Sequence, residues 1–216
     1  LELAERVGHE ARAQGSPELE ARAALAGASY FNFYVHNPTV IALLERALEQ
    51  LPRGELALRA MLLAKLSCAC FPSPRDGHTE GLAREAIAAA RETGDRRVLM
   101  SVMHDAALSG LGQRMNADER AVFGEELRSL GIEHGDRYVS MRGELIVVFA
   151  ALARGVAHGL EERVAACQRD IPEAGTVPER GLLWMVHAMR ERMTGRFAAA
   201  EASMERGVAA AAGIDN

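Results

Sequence analysis

The turn Ala90-Arg91-Glu92-Thr93-Gly94-Asp95 ends one alanine-rich, helix-patterned run and begins another. Glycine closes a helix C-terminus in the left-handed conformation at little steric cost, and the Asp that follows it caps the next helix. The dipeptide recurs as Gly135-Asp136, and comparable glycines lie at positions 15, 54, 175 and 213, so the intervals are 38 to 41 residues. A period of this length, with helical patterning on both sides of each turn, predicts a stacked array of helix pairs.

A second series of turns falls between these glycines and shares their period. It lies near Asn37, Asp76, Asn116, His158 and Gly195. Together the two series predict one all-α repeat domain over residues 1–216, with helix pairs at about 16–53, 54–94, 95–135, 136–174 and 175–213. Residues 1–14 are interpreted as a remnant helix of a preceding unit, because the chain begins within a helical pattern and without an initiator Met. We therefore expect an excerpt of a longer protein.

Three local patterns predict where helices begin and which helix is central. Asn37-Pro38 places a capping residue directly before a first-turn proline. Asn116 and Glu119 have the spacing of a capping box, in which each side chain bonds the backbone N–H of the other residue. A wide apolar stripe later in the chain predicts a helix packed on two sides. The stripe consists of Tyr138, Met141, Leu145, Val148 and Leu152.

The composition argues against several classes of partner. Hydrophobic residues make up 49% of the chain but aromatic residues only 5%, and acidic and basic residues are interleaved to a net charge of -5. Because no basic patch is present, direct nucleic-acid binding is not expected. The longest apolar run, 145–153, is far shorter than the roughly 20 residues of a membrane span. The three cysteines, an odd number, do not make a disulfide framework, so we predict a cytoplasmic location.

The sequence has no motif with the spacing of a catalytic, cofactor or metal site. Cys68-Ala69-Cys70 lacks the second pair that a zinc site needs, and its thiols are interpreted as buried or half-buried structural side chains. The seven histidines form no His-Glu-x-x-His motif, and no phosphate-binding glycine loop occurs. The stripe Met185, Met189 and Met193 has two interpretations, an adaptable binding surface or filler between packed helices, and we favour the filler. We therefore predict a protein that is not an enzyme and that has no catalytic residue, cofactor or metal.

Parts of the sequence resemble a known type of helical repeat. Thr194-Gly195-Arg196-Phe197-Ala198-Ala199-Ala200-Glu201 is similar to the tetratricopeptide signature Gly-x-Phe/Tyr-x-x-Ala, which joins the two helices of a repeat. Leu82-Ala83-Arg84-Glu85-Ala86, the turn at Gly94, and Glu125-Glu126-Leu127 with Gly135-Asp136 resemble the repeat region of large bacterial signalling proteins. These are LuxR-type and antibiotic-regulatory-type transcription factors and adenylate-cyclase-linked ATPases. The resemblance implies an all-α, right-handed superhelix of stacked antiparallel helix pairs.

The resemblance also implies where a partner would bind. In tetratricopeptide-like arrays the first helix of each pair lines a concave groove, which is where partners usually lie. Applied to this chain, that rule selects ten candidate groove contacts. They are Tyr30, Asn32, Tyr34, His36, His104, Arg142, Glu144, Trp184, His187 and Arg190.

Two hypotheses for the function follow from the repeat pattern and this resemblance. The leading one is a non-enzymatic scaffold or regulatory domain of a bacterial signalling or transcription-regulatory protein. Its partner would be a protein segment or another domain of the parent chain. The alternative is a sensor domain that binds a small-molecule inducer in the groove. Self-association through an exposed terminal helix is a further expectation, because the outer repeats of an array have uncovered apolar faces.

Overall fold

The structure, a computed structural model, describes residues 1–29, 37–71, 77–156, 159–174 and 177–211. Within these ranges every regular element is an α-helix, which confirms the predicted all-α class. In the same ranges, no helix combines the length and the apolar composition that a bilayer span requires. The helices are α1 (Glu2–Ala13), α2 (Pro17–Ser29), α3 (Pro38–Gln50), α4 (Leu56–Ala69), α5 (His78–Glu92), α6 (Arg96–Leu108), α7 (Leu111–Arg114), α8 (Ala117–Glu133), α9 (Arg137–Ala153), α10 (Leu160–Ala174), α11 (Val177–Met193) and α12 (Phe197–Ala211).

Three of the predicted glycine turns are left-handed in the structure. Gly15, Gly94 and Gly135 have φ values of 66°, 69° and 70°, a region that residues with a side chain rarely adopt. Asp95 then caps α6, since its Oδ1 accepts a hydrogen bond of 2.8 Å from the backbone N–H of Arg97. The same glycine therefore ends α5 and allows the next residue to begin α6.

Two predicted turns differ from expectation. Gly54 lies outside the left-handed region, because α3 has already ended at Gln50 and the chain needs no glycine there to stop it. Just before the turn predicted near Asn116, the chain forms a single helical turn, α7, whose Leu111 is buried. Burial of this leucine gives the short helix a reason to form. Other predicted turns lie outside the described ranges: Asp76, His158, Gly175 and Gly213.

The second series of turns carries both of its predicted caps. Asn37 Oδ1 accepts hydrogen bonds from the backbone N–H of Thr39 at 3.0 Å and of the residue after it at 3.2 Å. Asn116 and Glu119 form the reciprocal capping box, with distances of 2.9 Å and 3.2 Å. Gly195, between α11 and α12, has a φ of 75°. Local chemistry thus starts α3 and α8 and permits the turn into α12.

Gly94→Val is expected to destabilise the protein by more than about 1 kcal/mol. A Cβ atom at this position would meet no atom within 4 Å, so the cost comes from the positive φ, where a β-branched side chain is strained. Thermal unfolding followed by circular dichroism measures the loss. Gly54→Val is the matched control, because Gly54 has equally open surroundings without a positive φ. Equal losses in the two variants would contradict the backbone explanation.

The described helices belong to two compact units, Leu1–Arg114 and Met115–Asn216. The boundary falls between α7 and α8, inside the predicted pair 95–135. In the first unit α4 is central, since it packs against α2, α3, α5 and α6. Its Leu58, Leu62 and Leu66 are buried in one core cluster with residues of α2 and α3. The single domain over residues 1–216 stays a prediction.

In the second unit α9 is central, as its wide apolar stripe predicts. It packs against α8, α10 and α11. Met141, Leu145, Val148 and Leu152 are buried in a core cluster that also contains residues of α10 and α11, and Tyr138 packs against that cluster. On the side that contacts α8, α9 has a glycine in place of a large apolar side chain.

Glycine residues allow α8 and α9 to approach very closely. A methyl group added at Gly143 would lie 2.6 Å from the carbonyl oxygen of Gly124 and 2.7 Å from Cα of Arg128. A methyl group added at Gly131 would lie 2.8 Å from Cα of Ser140. These separations are shorter than any that packed carbon atoms adopt. The α8–α9 contact therefore depends on the absence of side chains at both positions.

Candidate functional site

The ten predicted groove residues fall on several helices. Six of them lie in the described part of the chain: His104 on α6 in the first unit, Arg142 and Glu144 on α9, and Trp184, His187 and Arg190 on α11 in the second unit. The remaining four, Tyr30, Asn32, Tyr34 and His36, lie outside the described ranges. That these side chains line one groove stays a prediction.

The polar centre of the first unit is an ion pair between α4 and α6. Lys65 Nζ lies 2.9 Å from Asp105 Oδ1, and the two side chains are only 17% and 6% exposed. The thiol of Cys68 donates a hydrogen bond of 2.9 Å to the backbone oxygen of Asp105. His104, the neighbouring residue, is half-buried. Two side chains of α4 therefore fix the position of α6, and this cluster has the geometry of a packing contact.

The burial of the cysteines agrees with their structural interpretation. Cys68 and Cys167 are buried and Cys70 is half-buried. Cys68 also has a defined hydrogen-bonding role in the ion-pair cluster just described. Burial limits the access of oxidants and metals to such thiols.

Two arginines and two glutamates form a closed ring of ion pairs in the second unit. Arg163 of α10 donates to Glu125 of α8 at 2.6 Å and to Glu144 of α9 at 2.8 Å. Arg128 of α8 lies 2.9 Å from Glu125 and 3.4 Å from Glu144. Each charge thus has two partners of opposite sign, and the ring joins three helices. Glu144 is occupied by this ring, while Arg142, two residues earlier on α9, is buried.

The ring changes the acidity of one of its carboxyl groups. Burial alone would raise the pKa of Glu125, but hydrogen bonds donated by Arg128 and Arg163, together with their charges, outweigh it and hold the pKa below the ordinary value of 4.5. A carboxyl group whose pKa is lower in the folded than in the unfolded state stabilises the fold above its unfolded pKa. That contribution is lost as the pH falls through the folded pKa.

We therefore expect the stability advantage of the wild type over Glu125→Gln to shrink as the pH falls from 7 to 3. Urea unfolding followed by circular dichroism at several pH values measures the difference in free energy. Glu162→Gln, a substitution at an exposed position of α10, is the control for a general effect of removing one carboxylate. A difference between wild type and Glu125→Gln that stays constant over this pH range would contradict the role assigned to the ring.

An open apolar groove lies beside the ring. It is a cavity of about 440 Å³ between α8, α9 and α10. Arg154, on its wall, lies 3.4 Å from the exposed carboxylate of Asp118. The groove was not predicted, because its wall combines residues of three consecutive helices and depends on how these helices pack. Its lining includes Val122, Val147, Ala151, Leu160 and Arg163.

Three of the predicted groove residues do come together on one side of α11. The ring centroids of Trp184 and His187 are 5.5 Å apart, and the guanidinium of Arg206 on α12 lies 5.2 Å from the centroid of the Trp184 ring. Arg190 lies 2.7 Å from Glu161 of α10. The partners of these side chains are on neighbouring helices, so this side of α11 helps hold α10, α11 and α12 together.

His187 is shifted towards its neutral form. Burial lowers its pKa below the ordinary value of 6.5, and the charge of Arg190 lowers it further. The carboxylates of Glu191 and Glu161 oppose this shift only in part. Burial and the neighbouring arginine thus favour the neutral imidazole over the charged form.

The other side of α11 and α12 is apolar and exposed. Five large apolar side chains there are between 40% and 69% exposed, and we name them the methionine face. The interpretation of the methionine stripe as core filler is wrong for Met185 and Met193, which belong to this face. Of the stripe, only the middle residue, Met189, packs against the core cluster of α9 and α10, beside Val186 and Leu183. The methionine face consists of Met185, Met193, Phe197, Met204 and Val208.

Comparison with known proteins adds no assignment. No family model, curated protein or solved structure matches the chain. Among the residues that the structure describes, no three His, Cys, Asp or Glu side chains are grouped to hold a metal ion. Two apolar surfaces of the second unit, the groove and the methionine face, are candidates for function.

Proposed function

We propose that the chain is a non-enzymatic interaction domain of a bacterial, cytoplasmic signalling or transcription-regulatory protein. In this proposal it binds a protein segment or another domain of its parent chain. The resemblance of its turn motifs to the repeat region of bacterial regulators supports the biological setting. The methionine face supports binding as the activity, because monomeric proteins rarely leave a cluster of large apolar side chains uncovered.

The order of helix contacts supports a tetratricopeptide-like stacking of pairs within each unit. In the first unit α2 packs against α4 and α4 against α6, and in the second unit α9 packs against α11. Each of these helices is the first member of a predicted pair. Contacts between alternate helices, in addition to those between neighbours, are what a stacked array requires. We propose that these pairs stack with the right-handed superhelical sense of the tetratricopeptide-like repeats.

The observation that carries the proposal is the methionine face itself. Half of the exposed large apolar side chains of the described residues lie in the 24 residues from Met185 to Val208. Methionine is unbranched and adapts to partners of different shape, which is why it is used on binding surfaces. The cost of exposing these side chains to water would be offset when a partner covers them.

Selection from a random peptide library tests this function. The immobilised 216-residue chain is expected to enrich peptides whose binding is lost in the double variant Phe197→Ala/Met204→Ala. Both positions are exposed, so the fold should persist, and circular dichroism checks that it does. If no peptide is enriched, or if the enriched peptides bind the double variant equally well, the proposed interaction through this face is wrong.

One observation favours the sensor hypothesis as a second candidate. The groove between α8, α9 and α10 has a volume within the usual range for small-molecule sites, roughly 300–1,000 Å³. Its apolar wall is joined by Glu125 and Arg163 of the ring and by Arg154, whose partner Asp118 is exposed to solvent. A sensor would show a saturable rise of the melting temperature with one class of anionic amphiphile. The rise should disappear in Val122→Asp, which places a charge on the groove wall. If it survives that substitution, the groove is not the ligand site.

A further inference from the structure

We propose that the methionine face binds a basic amphipathic helix. This inference rests on the interaction function proposed above and names the chemical class of its partner. Two observations carry it: the apolar side chains continue across two helices, and exposed carboxylates border them. Neither observation concerns the groove between α8 and α10, which is a separate surface of the second unit.

The first step is the relative direction of α11 and α12. The short turn after Met193 brings the chain directly into Phe197, so these two residues lie at one end of the helix pair. At the other end Gly207 packs on Trp184, since a Cβ atom at Gly207 would lie 3.1 Å from Cβ of the tryptophan. The two helices therefore run antiparallel. Each end of the methionine face contains residues of both α11 and α12.

The second step is that both helices direct their apolar residues to the same side. Arg206 over the ring of Trp184 marks the opposite side of the pair. On α12 the three members of the face recur at intervals of seven and four and lie roughly half a turn from Arg206. On α11, Met185 and Met193 flank Met189, which lies roughly half a turn from His187 and is partly buried against the core cluster of α9 and α10. The five side chains are therefore neighbours on one surface.

The shape of this surface suits a third helix. From Phe197 to Val208 the face extends about 16 Å along α12, which is roughly three helical turns. Two antiparallel helices side by side leave a shallow cleft between them, and a helix laid in such a cleft uses apolar residues at positions i, i+4, i+7 and i+11. Methionine side chains on the walls adjust to the side chains that enter.

The border of the surface selects a basic partner. Glu201 and Glu205 are exposed and four residues apart, so they lie on one side of α12, next to the apolar stripe and away from α11. Arg206 is directed towards Trp184 instead. Arg192 is exposed on α11 near the turn, so the basic residues of the ligand should lie towards the far end, beside Glu205. The net charge of -5 adds long-range attraction.

Two synthetic peptides test the proposal directly. Both are helices of 18 residues with Leu and Trp along one face, and the other face carries Lys in one peptide and Glu in its partner. Each carries a fluorescent label, and fluorescence anisotropy measures binding to the 216-residue chain at low salt. The lysine peptide is expected to bind at least about tenfold more tightly than the glutamate peptide.

A pair of apolar truncations localises the binding. Phe197→Ala/Met204→Ala should weaken binding of the lysine peptide by about thirtyfold, since it removes two large apolar anchors of the face. Leu3→Ala/Leu19→Ala is the matched control, because both residues are exposed but lie on α1 and α2 in the first unit. It should leave the affinity unchanged. Equal losses in both double variants would overturn the assignment to the methionine face.

A pair of charge reversals tests the selection by Glu201 and Glu205. Glu201→Lys/Glu205→Lys should lower the affinity for the lysine peptide about tenfold, so that the glutamate peptide becomes the tighter ligand. Glu45→Lys/Glu49→Lys is the matched control on α3, where two exposed glutamates have the same spacing of four. If the two reversals act equally, the charge effect is general and the proposed acidic border is wrong.

The remaining outcomes separate this inference from the function on which it rests. If both peptides bind with equal affinity and the apolar truncation abolishes the binding of both, the proposed basic character of the partner is wrong. The proposed interaction function then still holds. If neither synthetic peptide binds, and the peptides selected from the library bind the truncated variant as tightly as the wild type, both proposals are wrong. If neither binds and sedimentation detects a dimer that the truncation dissociates, a second copy of the chain covers the face, and the basic helix is overturned.

Discussion

Asp105→Ala is expected to destabilise the first unit by about 3–5 kcal/mol. The carboxylate of Asp105 lies 2.9 Å from Lys65 Nζ, and both side chains are largely withdrawn from water. Removing the carboxylate takes away the negative charge that offsets the desolvation of the ammonium. Alanine keeps the backbone oxygen that accepts from Cys68, so the substitution isolates the ion pair. Chemical unfolding followed by circular dichroism measures the loss.

The double variant Lys65→Met/Asp105→Leu is the control for this result. It removes both charges and fills the site with apolar side chains, an exchange that is often neutral in protein interiors. We expect it to recover most of the stability that Asp105→Ala loses. If the double variant is as unstable as the single one, the loss comes from changed packing between α4 and α6 and not from an uncompensated charge.

Gly143→Ala is expected to destabilise the second unit by about 3 kcal/mol, because a methyl group at this position meets backbone atoms of α8. Backbone cannot rotate aside as a side chain can, so α8 and α9 must move apart along their whole contact. For a unit of about 100 residues this corresponds to a fall in melting temperature on the order of 15 °C. The single tryptophan of the chain, Trp184, lies in this unit, and its fluorescence reports the transition.

Gly81→Ala gives the same chemical change without the collision. Gly81 is exposed in α5, and a Cβ atom there would meet nothing within 4 Å. Alanine at an open helical position is expected to stabilise by about 0.5–1 kcal/mol. The two substitutions should therefore have opposite signs. A stabilising effect of Gly143→Ala would mean that α8 and α9 are farther apart than in the structure.

The parts of the fold that were predictable from the sequence depend on local chemistry. Asp95, Asn37 and Asn116 cap helices through atoms two or three residues away, so their role is readable from a few neighbours. The central position of α9 was also readable, because an apolar stripe this wide must pack against two neighbouring helices to be buried. In both cases the evidence lies within a single helix or turn.

The candidate surfaces were harder to predict because they depend on which helices meet. The methionine stripe of α11 has the spacing of a core stripe, but only its middle residue, Met189, packs against the core cluster of α9 and α10, while Met185 and Met193 are exposed. The ion-pair ring joins residues 19 and 38 positions apart. On α12 a signal was present, since Phe197, Met204 and Val208 form a second apolar stripe beside its alanines. Of these three residues, the repeat signature contains only Phe197.

The attachment of α12 has a consequence for motion. Among its described residues only Ala200 and Gly207 are buried. Detaching the helix therefore exposes little apolar area to water. Its amide hydrogens are therefore expected to exchange with solvent before those of α9, whose residues are buried on several sides. A ligand on the methionine face would touch α11 and α12 together and would close this opening. Slower exchange along α12 would then report occupancy of the face even when the ligand itself has no signal.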